Sequence, residues 1–200
     1  MESNTQEPVA ARVPPASLPN LVTLARIAAI PVLVWLLRKP DQILAFYAFG
    51  VFLVASLTDV LDGYLARRYG LVSPLGKLLD PLADKLLVVS ALLMLALMDR
   101  SPSIPAWLLV LIIGRELAVT GLRSIAATEG LVVAAAASGK VKMILQIVSV
   151  HALILHYSYF GLNFYLLGMT LLVVSTLAGL WSAVGYYRRV FRHLAPLSKG

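Results

Sequence analysis

The chain has 200 residues, of which 60% are hydrophobic and 14% charged, with a net charge of +7 and no cysteine. Soluble domains average about 45–50% apolar and about 25% charged residues, so this balance points away from a water-soluble domain and toward a polytopic membrane protein. Without cysteine there is no disulfide framework, no thiolate metal site and no cysteine nucleophile.

Residues 1–17, MESNTQEPVAARVPPAS, are polar and proline-rich and read as a disordered cytoplasmic arm. Glu2 and Glu7 stand where a signal peptide has its basic region, and no long apolar run follows directly. A spanning helix needs about 20 largely apolar residues. Six stretches qualify, at about 19–38, 43–67, 76–98, 104–127, 136–157 and 162–190. They are separated by Lys39-Pro40-Asp41, by Gly70 to Pro74, by Asp99 to Pro102, by Glu129-Gly130 and by a break near Ser158 to Gly161. The expected fold is all-α, a six-helix membrane domain over 18–190 followed by a basic cytoplasmic tail over 191–200. Strands are not expected, because an open sheet edge cannot sit in lipid.

The first helix opens on Pro19, Asn20, Thr23 and Arg26 before its apolar run Ile27 to Leu37, so its start is expected to be interfacial. The fourth carries Arg115, Glu116 and Arg123 after the apolar run Ile104 to Ile113, so its second half must face protein or water. Six spans put both termini on one side of the membrane. That side receives Arg12, Arg67, Arg68, Lys77, Arg115, Arg123, Lys140, Lys142, Arg188, Arg189, Arg192 and Lys199. The other side receives Arg38, Lys39 and Arg100. The bias places both termini in the cytoplasm.

The acids are concentrated where the second and third helices meet. Asp59 and Asp62 are three residues apart and Asp80 and Asp84 four apart, so each pair is within about 60° of alignment on one helix face. Four carboxylates brought together repel, so either some are protonated or a cation neutralises them. Oxygen donors in this number suit Mg²⁺, Mn²⁺ or Ca²⁺. Gly63, Ala66 and Gly76 leave room beside the carboxylates, and Arg67 supplies a planar cation suited to phosphate. Together these describe a site for a metal-bound diphosphate.

The spacing Asp59-x2-Asp62-Gly63-x2-Ala66-Arg67-x8-Gly76-x3-Asp80-x3-Asp84 resembles the full signature of the CDP-alcohol phosphotransferases. The resemblance covers about 18–190 and implies a homodimeric membrane enzyme with two divalent ions, Mg²⁺ or Mn²⁺. It implies Asp59, Asp62 and Asp80 as metal ligands, Asp84 as a ligand and the general base, and Gly63, Ala66 and Arg67 on the CDP pocket. LPNLVTLARIAAIPV (Leu18 to Val32), GRELAVTGLRSIAA (Gly114 to Ala127) and SGKVKMILQ (Ser138 to Gln146) are similar to bacterial phosphatidylglycerophosphate synthases. Met143 departs from that pattern, where a threonine is common. The first of these stretches implies Asn20 and Thr23 beside the CDP group. The aspartate signature implies a CDP-linked lipid, CDP-diacylglycerol, as donor, and the other two stretches imply glycerol 3-phosphate as acceptor, bound by Arg115, Glu116, Arg123, Lys140 and Lys142, in a bacterial inner membrane. Inositol phosphate, serine or phosphatidylglycerol are the alternative acceptors. An aspartate-lined cation transporter is the alternative of a different class, and no nucleic-acid partner is expected. His151, His156 and the tryptophans read as packing or interfacial residues.

Overall fold

The computed structural model describes residues 18–69, 74–129 and 137–194; the arm at 1–17 and the last six residues lie outside them. Six helices account for nearly all of it. They are α1 (Leu18–Leu36), α2 (Gln42–Tyr69), α3 (Pro74–Leu97), α4 (Ala106–Thr128), α5 (Ala137–Leu155) and α6 (Phe164–Leu194). Their ends are written in short polar segments. The Leu44 amide donates to Asp41 Oδ1 at 2.8 Å, and the Leu166 amide donates to Asn163 Oδ1 at 2.9 Å, which satisfies a free donor at the start of α2 and of α6.

The expectation of no strands is corrected at one place. Ser158–Tyr159 (β1) and Leu162–Asn163 (β2) form a two-residue antiparallel hairpin between α5 and α6. Phe160 (φ 53°) and Gly161 (φ 78°) turn it, both in the left-handed region that tight hairpin turns use. The lipid rule does not reach this segment, because the hairpin lies in the break between two helices and not within an apolar span.

The main core runs through the bundle, and a smaller cluster of Leu122, Ala126, Tyr186 and Val190 joins α4 to α6. In the main core, Leu33 of α1, Leu37 just past its end and Phe52 of α2 are buried with Leu87, Leu92 and Leu95 of α3; Ile112 of α4, Leu153 of α5 and Leu172 of α6 complete it. The closest pair is α5 with α6. A Cβ at Gly168 would lie 2.7 Å from Leu153 Cγ and 2.9 Å from the Leu153 amide nitrogen, so only glycine permits this approach. Ser149 Oγ donates to the Gly168 carbonyl at 2.8 Å across the same contact.

At the hairpin end, polar and aromatic side chains tie the loops. Tyr165 donates to the Ser103 carbonyl at 3.0 Å, Gln42 donates to the Tyr159 hydroxyl at 3.1 Å, and Arg100 donates to the Leu153 carbonyl at 3.2 Å. His151 sits edge-on to Phe49 and Phe52, with Nδ1 2.8 Å from the Ile147 carbonyl, which is a packing role.

The surface is apolar to an unusual degree. Ile43, Leu97, Val110, Leu117 and Trp181 are all strongly exposed, while Arg26, Gln146 and Ser149 are buried. Among the described residues one helix, over Phe164–Arg192, is long and apolar enough to cross a membrane by itself. Leu21–Leu36, Gln42–Thr58 and Val141–Leu155 are shorter apolar stretches. In α4 the apolar run is cut by Arg115, Glu116 and Arg123.

Candidate active site

The last three turns of α2 carry Asp59, Asp62, Gly63, Ala66 and Arg67, and the first three turns of α3 carry Gly76, Asp80 and Asp84. The two helices pack against each other, and α1, with Asn20 and Thr23 in its first two turns, packs against both. The side chains of Asn20, Asp59, Asp62, Ala66, Arg67, Asp80 and Lys140 lie outside the described residues, as does the surface around Gly63 and Gly76. Thr23 is fully buried. Among the described residues no three His, Asp or Glu side chains gather into a metal cage.

Asp84 opens on a cavity of about 540 Å³ between α3, α4, α5 and α6. Arg115, Glu116, Arg123 and Lys142 line the same cavity, so four of the residues expected at the acceptor site share one space with the expected base. The sequence spacing explains how. Arg115 and Glu116 sit halfway along α4, beyond its apolar run, and Lys142 lies in the second turn of α5.

Glu116 is the hub. Its Oε1 accepts from Arg115 Nη2 and, at 2.7 Å, from Lys142 Nζ, joining α4 to α5. The two cations are held deeply, with side chains 8% and 12% exposed. Gly179 of α6 makes their path possible. A Cβ there would come 3.0 Å from Arg115 Cζ and 3.1 Å from Lys142 Cδ. Lys85, next to Asp84, reaches across the cavity to donate to the Thr120 hydroxyl.

Among the described residues the cavity wall holds five cationic side chains, Lys85, Arg115, Arg123, Lys142 and Arg189, and two carboxylates, Asp84 and Glu116. An excess of fixed positive charge in a partly closed space attracts a phosphate. Much of the remaining wall is apolar, with Leu82, Leu86, Val89, Ile113 and Ile147. A second groove, of about 550 Å³, runs between α1 and α2 from Val22 to Thr58, with Arg26 in its wall.

The sequence reading missed the contribution of α6. Gly179, Ser182, Tyr186 and Arg189 all line the cavity. Their separations of three, four and three put them on one helix face. That small and polar stripe through an apolar helix was the available signal.

A family model described as CDP-alcohol phosphatidyltransferase matches residues 16–181. The chain belongs to the CDP-alcohol phosphatidyltransferase family. The matched span runs from before α1 into α6 and includes the four aspartates and every charged residue of the cavity except Arg189. The chain is 47% identical over 152 residues to the CDP-diacylglycerol–glycerol-3-phosphate 3-phosphatidyltransferase of Bacillus subtilis (strain 168), covering 70% of this chain and 77% of that one. It is 40% identical over 139 residues to the protein of the same name from Rickettsia bellii (strain RML369-C), covering 70% and 75%. It is also 34% identical over 192 residues to a cardiolipin synthase (CMP-forming) of Oryza sativa subsp. japonica, covering 89% of this chain and 58% of that one.

Proposed function

We propose that this chain transfers the phosphatidyl group of CDP-diacylglycerol to glycerol 3-phosphate, giving phosphatidylglycerophosphate and CMP. The observation that carries the reading is the cavity shared by Asp84 with Arg115, Arg123 and Lys142. It offers a proton acceptor and phosphate-binding cations in one place. The family membership and the names of the bacterial relatives agree with it.

The chemistry follows from those groups. Arg115, Arg123 and Lys142 hold the acceptor's phosphate, and Glu116 positions Arg115 and Lys142. Lys140, in the first turn of α5, adds charge to the same end. Asp84 takes the proton of the attacking hydroxyl. The hydroxyl oxygen bonds to the β-phosphorus, the bond from that phosphorus to the CMP oxygen breaks, and CMP leaves with the electron pair. No phosphatidyl-enzyme forms on this route.

Asp59, Asp62, Asp80 and Asp84 are an all-oxygen donor set on two packed helices, which fits hard cations such as Mg²⁺ or Mn²⁺. Two such ions, when bound, neutralise charge on the diphosphate oxygens. Gly63, Ala66 and Arg67 of α2 and Asn20 and Thr23 of α1 complete the CDP side, and the working molecule is a homodimer.

The inverted surface supports residence in a lipid bilayer, with all six helices embedded and both termini in the cytoplasm. Leucines and tryptophans face outward, and an arginine and a glutamine face inward. The cavity end of the bundle then lies at the cytoplasmic face, where acyl tails stay in lipid and glycerol 3-phosphate arrives from water.

The deciding experiment is CMP release by purified protein from CDP-diacylglycerol and Mg²⁺ across a panel of acceptors. Glycerol 3-phosphate is expected to support release far above inositol phosphate and serine. Release with another acceptor at equal or greater rate overturns the assignment, and cation flux in proteoliposomes without CMP release overturns the enzyme class. A second reading, with phosphatidylglycerol as acceptor, is favoured by the apolar half of the cavity and by the similarity to the rice protein. The same panel separates the two.

A further inference from the structure

Helix α6 has two faces of opposite kind. Leu172, Ala183, Tyr186 and Val190 are buried toward the bundle. Tyr186 and Val190 pack with Leu122 and Ala126 of α4. At about 100° per residue, the opposite face carries Leu177, Trp181, Val184, Arg188, Phe191 and Arg192 within an arc of about 100°. All six are exposed, Trp181 at 82% and Phe191 at 59%. The stripe is apolar as far as Val184 and gains its two cations beyond it.

Arg188 and Arg192 stand one turn apart, so their like charges repel. Helix α6 contains neither Asp nor Glu to offset them. Helix α4 lies against the other face, and among the described residues no ion pair involves either arginine. Length sets the depth at which the pair lies. With 31 residues, α6 is about 46 Å long, whereas the hydrocarbon of a bilayer is about 30 Å thick. The uncharged run from Phe164 to Gly185 already spans that thickness, so the surplus falls at the basic end. Arg188 lies about 10 Å along the axis beyond Trp181, and Arg192 about 6 Å further. Trp181 is then level with acyl chains when the two guanidinium groups are level with headgroups.

We infer that this stripe is a docking surface for an anionic phospholipid of the cytoplasmic leaflet. The headgroup phosphate lies between Arg188 and Arg192, and an acyl chain runs along Val184, Trp181 and Leu177. Guanidinium groups match phosphate in charge and in hydrogen-bond geometry. Cationic and apolar surface continuous on one helix face match a lipid, which carries both kinds of group, better than a free anion. The inference rests on the bilayer residence proposed above. It goes beyond the reaction, because the stripe faces away from the cavity that Gly179, Ser182 and Tyr186 line.

Trp181 reports on its own neighbours. In the full chain carrying Trp35→Phe and Trp107→Phe it is the sole tryptophan. This protein is placed in phosphatidylcholine vesicles that contain equal fractions of either phosphatidylglycerol or phosphatidylcholine brominated on the acyl chains, which quench indole on contact. The brominated phosphatidylglycerol is expected to associate roughly fivefold more strongly, the size set by a basic residue at an anionic surface. Arg188→Gln combined with Arg192→Gln is expected to bring the two lipids to parity. Raised salt needs neither arginine substitution and is expected to shrink the preference, because ions screen the headgroup. Equal quenching by the two lipids before any arginine is changed overturns the inference. So does a preference that survives the double substitution or is indifferent to salt. Absence of quenching by either lipid overturns the bilayer residence, and the inference with it.

Discussion

Asp84 and Arg115 share a cavity but do different work, and substitution separates them. Asp84→Asn keeps size and removes the proton acceptor, so kcat is expected to fall by about 10²–10⁴-fold, the usual contribution of a positioned base. Turnover at the wild-type rate in that variant ends the base assignment. Arg115→Ala leaves Glu116 paired with Lys142 and is expected to raise KM for glycerol 3-phosphate far more than KM for CDP-diacylglycerol. Equal effects on both substrates place Arg115 outside the acceptor site. His156 gives a pH signature at the opposite end of the molecule. Burial, and then the nearby Arg100 charge, push its imidazole below the usual histidine range, against a backbone hydrogen bond at Ser101 that pulls the other way. The folded state therefore binds this proton less readily than the unfolded chain. The associated stability is complete above the unfolded histidine value of about 6.5 and declines as pH falls below it. His156→Asn, which tolerates the positive φ at this position, is expected to flatten the fall in thermal midpoint between neutral and mildly acidic pH. An unaltered pH profile counts against it.

Helices α5 and α6 show what sequence spacing reveals and what it leaves out. The breaks at Lys39-Pro40-Asp41 and at Ser158 to Gly161 were legible because caps and turns are local chemistry. The helix ends fall within a few residues of expectation, except that α6 continues to Leu194. The grouping of Arg115, Glu116, Arg123 and Lys142 around one space was legible because charges in apolar helices have few places to go. The Gly168 contact was not, because a close approach depends on a partner 15 residues earlier in the chain that no local pattern specifies. Nor was the α6 wall, since Tyr186 and Arg189 look like ordinary membrane-interface residues until α4 is placed beside them. Gly168→Ala is expected to cost about 1–3 kcal/mol, as overpacking does. The thermal midpoint should drop, with KM values little changed if the bundle refits. A midpoint equal to wild type means that α5 and α6 can separate without loss.

Across the whole molecule, the absence of cysteine makes the proposed orientation directly testable. A single cysteine in place of fully exposed Phe160, at the hairpin tip, is expected to react in intact cells with a membrane-impermeant maleimide. A single cysteine in place of Lys199 is expected to react only after the membrane is opened. The reverse pattern inverts the topology and moves the cavity to the outer face. In the proposed bilayer setting, burial of apolar surface from water does little to hold the helices together, because lipid tails are as apolar as leucine. Cohesion falls to close packing and to internal polar links, of which Ser149 to Gly168 and Glu116 to Lys142 are two.

The link through Glu116 has a consequence for the rhythm of turnover. A single carboxylate oxygen occupies Arg115 and Lys142 before any acceptor arrives. In the proposed reaction, an incoming phosphate therefore exchanges with a resident anion instead of meeting bare cations. Its electrostatic gain is the difference between two pairings, which keeps the hold on the acceptor moderate. When the charged product leaves, the carboxylate closes the vacancy at once. The resting pocket is thus a stand-in for its own occupied state, and each cycle begins and ends with the cations already paired.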